Sequence, residues 1–280
     1  ASLRGDAGTA GFAAARALQG LGFAAVLVGS GAYVAARAPA HRLAQALGIA
    51  GVLTLCAQAV GPALGEAVVV GAGWSAMFLT AAVSGVLGGV VALALPPVAR
   101  HGSAVGADGE RAAPIVAATV LAAIGFGAIW TFISDYTVQL GIAAVTPFFI
   151  PYVIAAIATR LFFGRLPDVL GKRQVAVPAL LLHAATLGAM AGLGSRWQLE
   201  VIGAFFGLAH GVYYPTLQAL IVERGADRSR SITLSSVAFS AGIVTAAYGL
   251  GPVAREAGYP VIYGIAAAAS VVAAGLVWAR

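Results

Sequence analysis

The sequence predicts an all-α integral membrane protein, and three observations lead to this fold class. First, 60% of the 280 residues are apolar and 9% are charged, whereas a soluble globular protein carries about 25% charged residues. Second, apolar stretches long enough to cross a hydrocarbon core about 30 Å thick recur along the whole chain. Third, basic residues stand between these stretches, as in the cytoplasmic loops of membrane proteins. A nucleic-acid-binding protein would instead cluster its net charge of +6 on a polar face.

Nine stretches are predicted to be transmembrane helices, because each contains about 20 mostly apolar residues. Glycine and proline within them are compatible with helix, since packed membrane helices tolerate both. The longest polar stretch, residues 98–113, is predicted to be a cytoplasmic linker between three front helices (1–97) and six rear helices (114–280). In order, the predicted helices cover residues 10–34, 43–65, 73–97, 114–136, 146–164, 174–194, 198–221, 231–252 and 259–279.

Similar segments in the two parts indicate an internal duplication. The segment GPALGEA at 61–67 resembles GPVAREA at 251–257, and the basic loop at 35–42 parallels the one at 222–229. The offset between the copies is nearly constant, at 187 to 190 residues. Duplicated six-helix halves are a common transporter design. We therefore expect the front copy to begin at its fourth helix, with three helices absent.

The distribution of basic residues predicts the orientation in the membrane. Eleven Lys and Arg residues fall in one set of alternating connections and at the carboxyl end, and three fall in the opposite set. The richer side is expected to be cytoplasmic. The sequence thus predicts a multi-pass protein of the inner cell membrane, with the start of this chain outside and its end in the cytoplasm.

A motif in the turn between the fifth and sixth predicted helices suggests a family. Residues 164–173 read GRLPDVLGKR, which resembles the loop signature of the major facilitator superfamily: a glycine, a leucine, an aspartate, then a glycine and two basic residues. Gly164 permits close helix approach, and Asp168 can face the N-terminus of a neighbouring helix. Lys172 and Arg173 can hold the loop at the anionic leaflet. An ordinary positive-inside turn is the alternative, and Pro167 and Val169 depart from the family pattern.

This resemblance implies a bundle of the major facilitator type, made of about nine helices that correspond to the family's helices four to twelve. It also implies that the two halves are pseudo-repeats and that the turn is a conformational latch. The latch residues would be Gly164, Arg165, Asp168, Gly171, Lys172 and Arg173.

Two residues are candidates for proton coupling. Arg16, with Gln19 and Gly20 after it, resembles the family's fourth-helix signature, in which the arginine is linked to coupling. An arginine inside an apolar run costs at least ~2.5–3.5 kcal/mol on insertion scales, so Arg16 should face protein, water or an anion, or else snorkel to the outer interface. Asp135 is a carboxylate near the outer end of the fourth predicted helix, where a solvated rim position is equally consistent.

A glycine–proline motif in the second predicted helix resembles one associated with exporters. It consists of Gly61, Pro62 and Gly65, with Gly51 upstream. Pro62 lacks a backbone donor and is expected to bend the helix, and the glycines would let the bend pack against the other half. A purely structural kink is the alternative.

The resemblance also implies that the first, fourth and seventh predicted helices line a central cavity. Aromatic rings and amides inside an apolar bundle suit an amphipathic organic solute. The candidate cavity residues are Gln19, Trp130, Gln139, His210, Tyr213, Tyr214 and Gln218.

Three further residues carry single expectations. We expect His183 to pack or to hydrogen-bond between helices, and Cys56 to be a small buried hydrophobe. Arg160 could pair with Asp168 or snorkel to the interface.

The function predicted from these patterns is transport rather than catalysis. The sequence contains no phosphate-binding G-x-x-x-x-G-K-[ST] loop and no H-E-x-x-H or C-x-x-C motif, so we expect no cofactor, no metal site and no enzyme activity. The resemblance implies a secondary transporter that works by alternating access, as a monomer in the lipid bilayer and without a nucleic-acid partner. It would export small organic solutes by proton coupling. An uptake symporter or facilitator, or a non-transporting sensor on the same fold, are the alternatives.

Overall fold

The computed structural model describes residues 6–97, 108–142, 145–225 and 227–279, and these residues form helices with no strand among them. The all-α fold class is thereby confirmed. Residues 98–107 of the predicted linker lie outside the described part, whereas 108–113 belong to a helix. The helices are α1 (Asp6–Arg37), α2 (Leu43–Leu93), α3 (Asp108–Gln139), α4 (Thr146–Phe163), α5 (Leu166–Leu170), α6 (Lys172–Ala191), α7 (Arg196–Arg224), α8 (Arg228–Ala257) and α9 (Tyr259–Trp278), with a 3-10 turn at Ala40–Arg42.

The helix α2 is a hairpin that contains both the second and the third predicted helices. Its dihedral angles leave the helical region at Gly73, where φ is 83° and ψ is 175°, a conformation that glycine adopts readily. A straight helix of 51 residues would be about 76 Å long. Yet the guanidinium of Arg37, just before α2 begins, donates to the carbonyl oxygens of Pro96 and Pro97 at 3.3 and 3.5 Å. Because its two ends lie near Arg37, α2 must fold back at Gly73.

Eight stretches of the described residues are long and apolar enough to cross a membrane, so the chain is a multi-pass membrane protein. The exception among the nine expected spans is α7, which is not apolar enough. The reason is its position. Most of α7 is buried among the other helices, so it needs no continuous lipid-compatible surface and can carry His210 and Gln218. In contrast, α1 and the second arm of α2 expose large apolar side chains such as Leu18 and Trp74, which suit a lipid environment.

A stripe of glycines on α7 brings its backbone into direct contact with α4. A Cβ atom on Gly203 would meet the carbonyl oxygen of Phe148, and one on Gly207 would meet that of Tyr152. At Gly211 it would lie 3.0 Å from the carbonyl oxygen of Ala156. Since the glycines and the carbonyls both recur every four residues, the two backbones stay in contact over successive turns, as in other close-packed membrane helices.

The front helices (α1 and α2) join the rear helices (α3 to α9) through a cluster of small and medium apolar residues. The front–rear interface consists of Ala35, Ala38, Leu43, Ala44 and Leu47 on one side and Ala219, Val222 and Ile232 on the other. It lies where α1 ends, α2 begins, α7 ends and α8 begins. Described basic residues gather at this end of the bundle, which we call the basic end: Arg37, Arg42, Arg165, Lys172, Arg173, Arg224, Arg228 and Arg230.

Two of the single-residue expectations are decided by the packing. His183 is fully buried, and its Nδ1 lies 3.0 Å from the hydroxyl of Ser270 on α9, so the predicted interhelical hydrogen bond is confirmed. The prediction for Cys56 is wrong, because its side chain is exposed. It lies on the first arm of α2, which is only partly covered by other helices.

Candidate functional site

The carboxylate of Asp168 binds the first turn of α2. The backbone N–H groups of Ala44 and Gln45 donate to its two oxygens at 3.3 and 3.0 Å, and the side chain is only 1% exposed. The first N–H groups of a helix have no partner within the helix, and the positive end of the helix dipole favours an anion there. The expected contact of Asp168 with a neighbouring helix N-terminus is therefore present, and it joins the rear helices to the front ones.

Lys172 links this carboxylate to α7. Its ammonium lies 3.1 Å from Asp168 and 2.7 Å from Glu223, so it balances two carboxylates at the basic end. The other two basic residues of the predicted latch, Arg165 and Arg173, form no ion pair with a described residue.

The two glycines of the predicted latch shape the turn around Asp168. A Cβ atom on Gly164 would meet the carbonyl oxygen of Arg160, the residue that closes the preceding turn. Gly171 has a φ of 101° at the start of α6, where other residues would be strained. Both positions thus require glycine for the backbone path, and the close approach at Gly164 is to its own helix rather than to a neighbour.

A second charge from the rear helices binds the end of α1. The guanidinium of Arg228 donates to the carbonyl oxygens of Ala35 and Ala38 at 2.8 and 2.9 Å. These carbonyls belong to the C-terminal end of α1, where the helix dipole favours a cation. Asp227 fixes the arginine in place, because its carboxylate caps α8 by accepting from the N–H groups of Ser229 and Arg230 at 2.8 and 3.1 Å.

Asp168, Lys172, Glu223 and Arg228 together form what we call the charged latch. It contacts the corner between α1 and α2 at two points. The anion, Asp168, binds the N-terminus of α2, and the cation, Arg228, binds the C-terminal end of α1. Each sign matches the end of the helix dipole that it meets. The geometry holds the front and rear helices together at the basic end.

Deeper in the bundle, an aromatic cluster surrounds His210 on α7. The Nδ1 atom of His210 lies 2.9 Å from the hydroxyl of Tyr152 on α4, and its ring lies 4.8 Å from that of Phe126 on α3. Phe126 stacks on Trp130 at a centroid distance of 4.4 Å. Trp130 is 40% exposed, so it forms the accessible edge of an otherwise buried group of rings.

The neighbouring residues of α7 extend this aromatic cluster. The ring of Tyr213 lies 5.5 Å from His210, and Tyr214 lies 4.6 Å from Phe239 on α8. Gln218 donates from its amide to the hydroxyl of Tyr214 at 3.1 Å. Five of the predicted cavity residues are therefore close together or linked through shared neighbours: Trp130, His210, Tyr213, Tyr214 and Gln218.

Arg160 extends from α4 into the space between the front and rear helices. Its side chain is 3% exposed, and its guanidinium occupies the place where a Cβ atom on Gly51 of α2 would lie. It interacts electrostatically with the hydroxyls of Tyr152, Tyr213 and Tyr214. Among the described residues it pairs with no carboxylate, so it neither binds Asp168 nor snorkels to an interface.

The remaining candidate residues are on α1 and near the end of α3. Asp135 and Gln139 are exposed near the end of α3, and Asp135 forms no ion pair with a described residue. Gln19 is exposed on α1. Arg16 also lies on α1, but its side chain is outside the described part of the chain. Their proposed roles in coupling and in solute binding remain predictions.

The glycine–proline motif lies within the first arm of α2 and is not where that helix breaks. The break is at Gly73, and a Cβ atom on Gly61 or Gly65 would meet nothing within 4 Å. Pro62 continues the helix, and its side chain is outside the described part. The glycines of α2 that face the rear helices are Gly48 and Gly51 instead, both of which contact Arg160.

Sequence reasoning missed several residues of these two sites. Glu223 and Arg228 were seen only as parts of a charged loop, and Tyr152 and Phe126 only as apolar helix residues. Their partners are distant in sequence, so local patterns could not assign them. One readable signal was present: Gly203, Gly207 and Gly211 recur at the four-residue spacing of a close helix contact.

Comparison with known families agrees with this geometry. The family model described as Major Facilitator Superfamily matches residues 5–146 and, in a second alignment, residues 115–280. The two matches overlap and together include nearly the whole chain.

Proposed function

The chain belongs to the Major Facilitator Superfamily and is thus a secondary transporter, and we propose that it works by alternating access to export small organic solutes in exchange for protons. The observation that carries this proposal is the charged latch. Among the described residues it fastens the front helices to the rear helices at the basic end, which is what a transporter requires if its two halves rock about a central site.

The energetics of the latch suit a reversible fastening. A charge at a helix terminus contributes about 0.3–1 kcal/mol when exposed and up to ~2 kcal/mol when partly buried. Two such contacts are strong enough to favour the closed state and weak enough to be broken in each cycle. Half of the residues in the interface beneath them are alanines, and such short side chains can separate without leaving deep pockets.

The distribution of charge supports the proposed orientation. Described basic residues gather at the latch, and the positive-inside rule would place that end in the cytoplasm. In this orientation the conformation described above is closed towards the cytoplasm. Solute would be released on the opposite side, and the latch would have to open before the next molecule could enter.

The aromatic cluster is the proposed solute site. Trp130 offers a partly exposed ring, and His210, Tyr214 and Gln218 offer polar groups among apolar neighbours, a combination typical of sites for amphipathic molecules. We assign Gln19 and Gln139 to the rim of this site, and we retain Arg16 and Asp135 as the candidates for proton coupling. The bundle would act as a monomer in the bilayer.

Paired distance measurements test alternating access. With Cys56 replaced by serine, nitroxide labels at Ala40→Cys and Val169→Cys report the basic end, and labels at Ala72→Cys and Trp197→Cys report the opposite end. All four positions are exposed. We expect a shift from pH 8 to pH 5 to lengthen one of the two distances and shorten the other. Distances that stay fixed would contradict alternating access driven by protons, and distances that change together would contradict alternating access of any kind.

Flux measurements test the coupling and the direction. The purified protein in proteoliposomes should move small organic compounds faster under an imposed pH gradient than without one, with Asp135→Asn as the comparison for the coupling role. Flux that is indifferent to the gradient would remove the antiport proposal and favour a facilitator. Accumulation in the same direction as the protons would favour an uptake symporter.

A further inference from the structure

Arg160 is a buried cation that forms no ion pair with any described residue. Its side chain is 3% exposed, and its Nε atom has no hydrogen-bond partner. The ion pairs found among the described residues involve Lys172 and Arg196 instead. Removing a charge from water costs several kcal/mol unless a partner of opposite charge compensates it. An arginine in this position is therefore poorly explained by stability and suggests a partner that comes from outside the chain.

A second unsatisfied polar group lies within electrostatic range of this cation. Tyr213 is 1% exposed, and its hydroxyl also lacks a hydrogen-bond partner, although buried hydroxyls nearly always have one. The guanidinium of Arg160 and the hydroxyl of Tyr213 interact electrostatically. A guanidinium has five N–H donors and no acceptor, and a tyrosine hydroxyl can also donate. The shared need of these two groups is an acceptor, and an anionic one satisfies the charge as well.

The position of the guanidinium suits a transported molecule. It rests against Gly51 of α2, and a Cβ atom on Gly48 of the same helix would lie 3.9 Å both from the aliphatic stem of Arg160 and from the ring of Pro215 on α7. One wall of the site thus belongs to the front helices and the other to the rear helices. Relative movement of the two would change access to Arg160, as a transport cycle requires.

Aromatic rings lead from the accessible edge of the cluster to this cation. Tyr152 precedes Arg160 by two turns on α4, a rise of about 12 Å. Its ring is nearly perpendicular to that of Trp130, with an interplanar angle of 76° and a centroid distance of 5.5 Å. A molecule with a flat apolar body and an acidic group at one end would match this sequence of rings and charge.

We propose that the transported solute is an aromatic organic anion, and that Arg160 binds its carboxylate or a similar acidic group. The proposal rests on the transport function inferred above and narrows its substrate class. The guanidinium forms charge-assisted, bidentate hydrogen bonds with the acid, Tyr213 donates a further one, and the rings around Trp130 contact the body of the molecule.

Matched carboxylates and amides test the role of the charge. The probes are indole-3-acetate and 2-naphthoate, each compared with its neutral amide by titration calorimetry on the detergent-solubilised protein. We expect the wild-type protein to bind at least one carboxylate about tenfold or more tightly than its amide. The variant Arg160→Gln should lose this preference, and Arg160→Lys should retain part of it. The variant Arg255→Gln, which removes an exposed charge at the other end of α8, should bind as the wild type does.

A pair of glycine variants tests the position of the guanidinium without changing any charge. In Gly51→Ala the new methyl group takes the place of the Nη1 atom and should weaken carboxylate binding about tenfold. In Gly48→Ala the methyl group would lie 3.9 Å from the arginine stem, an ordinary contact, and binding should be unchanged.

Thermal unfolding separates a binding role from a structural one. Arg160→Met removes an unpaired buried charge, so its melting temperature without ligand should rise by about 2–4 °C, the shift expected from about 1 kcal/mol in a chain of this size. A lower melting temperature would assign Arg160 to the fold instead.

The proposal is overturned if the wild type shows no preference for any of the carboxylates, or if Arg160→Gln keeps that preference. Neither result would affect the spin-label distances. If the distances change in opposite directions while the carboxylate preference is absent, the transport function stands and only the substrate class fails. Fixed distances together with a carboxylate preference that depends on Arg160 would instead indicate a sensor.

Discussion

Among single residues, the charged groups at the basic end differ in how well they are satisfied. Asp168 has two backbone donors and an ammonium around it, and Arg228 has two carbonyl acceptors. Arg160, one turn before the loop, has no charged partner among the residues that the structure describes. Asp168 and Arg228, which stabilise this conformation, are therefore distinct from Arg160, which is the proposed ligand-binding residue.

Neutralising Asp168 should weaken the latch. In Asp168→Asn the side chain keeps its shape but loses the charge that the N-terminus of α2 attracts, a loss of about 1–2 kcal/mol for a buried group. The closed population at the basic end should then fall about 5- to 30-fold relative to the open one, because 1.4 kcal/mol corresponds to a factor of ten. The distance between labels at Ala40→Cys and Val169→Cys measures this shift.

The control for that experiment is Glu200→Gln, which removes a carboxylate from an exposed pair with Arg196 at the opposite end. It should leave the distance distribution at the basic end unchanged. A latch role for Asp168 would be refuted if both variants kept the wild-type distribution.

Single-residue predictions from the sequence succeeded where the requirement is local. The motif identified Asp168 as a partner for a helix N-terminus, and Gly171 as part of the same turn. The sequence could not indicate which helix Asp168 binds, nor that Arg228 binds α1, because both contacts join residues more than 120 positions apart. The burial of Arg160 likewise depends on Gly51 of α2, which contacts it only in the folded chain.

Among the helices, α7 and α2 show opposite relations between polarity and environment. α7 is surrounded by protein and carries histidine, tyrosines and glutamine. The second arm of α2 has no buried residue among the described part of its span, Ala67–Leu93, and is strongly apolar. A central helix of a membrane bundle can afford polar side chains, and this explains why hydropathy ranks α7 below its neighbours.

The contact between α4 and α7 should not tolerate a methyl group. In Gly207→Ala the new Cβ atom would meet the carbonyl oxygen of Tyr152 and lie 3.0 Å from the Cβ atom of Ala155. Overpacking of this kind costs about 1–3 kcal/mol, so the melting temperature of the detergent-solubilised protein should fall.

The matched variant is Gly188→Ala on α6, where a Cβ atom would meet nothing within 4 Å. Alanine is favoured over glycine inside a helix by about 0.5–1 kcal/mol, so this variant should be as stable as the wild type or slightly more so. Equal melting temperatures for the two variants would show that the α4–α7 contact is looser than described.

The sequence predicted the positions of the membrane-spanning helices better than the positions at which the chain bends. The apolar stretches located the spans well, and the turn between the second and third was expected at 66–72, next to the observed break at Gly73. The bend was expected at Pro62, yet α2 remains helical there. A proline removes one hydrogen bond, whereas reversal of the chain needs a residue at positive φ, and Gly73 provides it.

For the whole molecule, the gathering of basic residues at one end predicts its orientation. With Cys56 replaced by serine, Trp197→Cys should react with a membrane-impermeant maleimide added to intact cells. Val169→Cys, at the basic end, should react only after the membrane is permeabilised. Both parent residues are 65% exposed, so access to solvent within the protein is comparable.

Reaction of Val169→Cys in intact cells, with Trp197→Cys protected, would reverse the orientation and make the latch an external one. Reaction of both before permeabilisation would show that the reagent had entered, and a cytoplasmic marker protein reports this separately.

The overall architecture was largely predictable because hydrocarbon imposes simple requirements on a chain. Spanning segments must be helical, long and mostly apolar, and composition alone reveals them. Which helices touch depends on small residues and on a few charges at their ends, such as Gly207 and Arg228. These contacts are specific to pairs of helices and have no signature in the average hydropathy.

The backbone contact along the glycine stripe would affect how a solute is transported across the membrane. Because the backbones of α4 and α7 are in close contact at Gly203, Gly207 and Gly211, the two helices would move as one rigid unit. Tyr152, Arg160 and His210 all lie on this unit. A solute bound by these residues would stay bound to them from uptake to release. Meanwhile α2, which forms the opposite wall, would move away, and water would take its place. The unit formed by α4 and α7 would then determine which solute binds, and the movement of α2 would determine the side on which the solute is released.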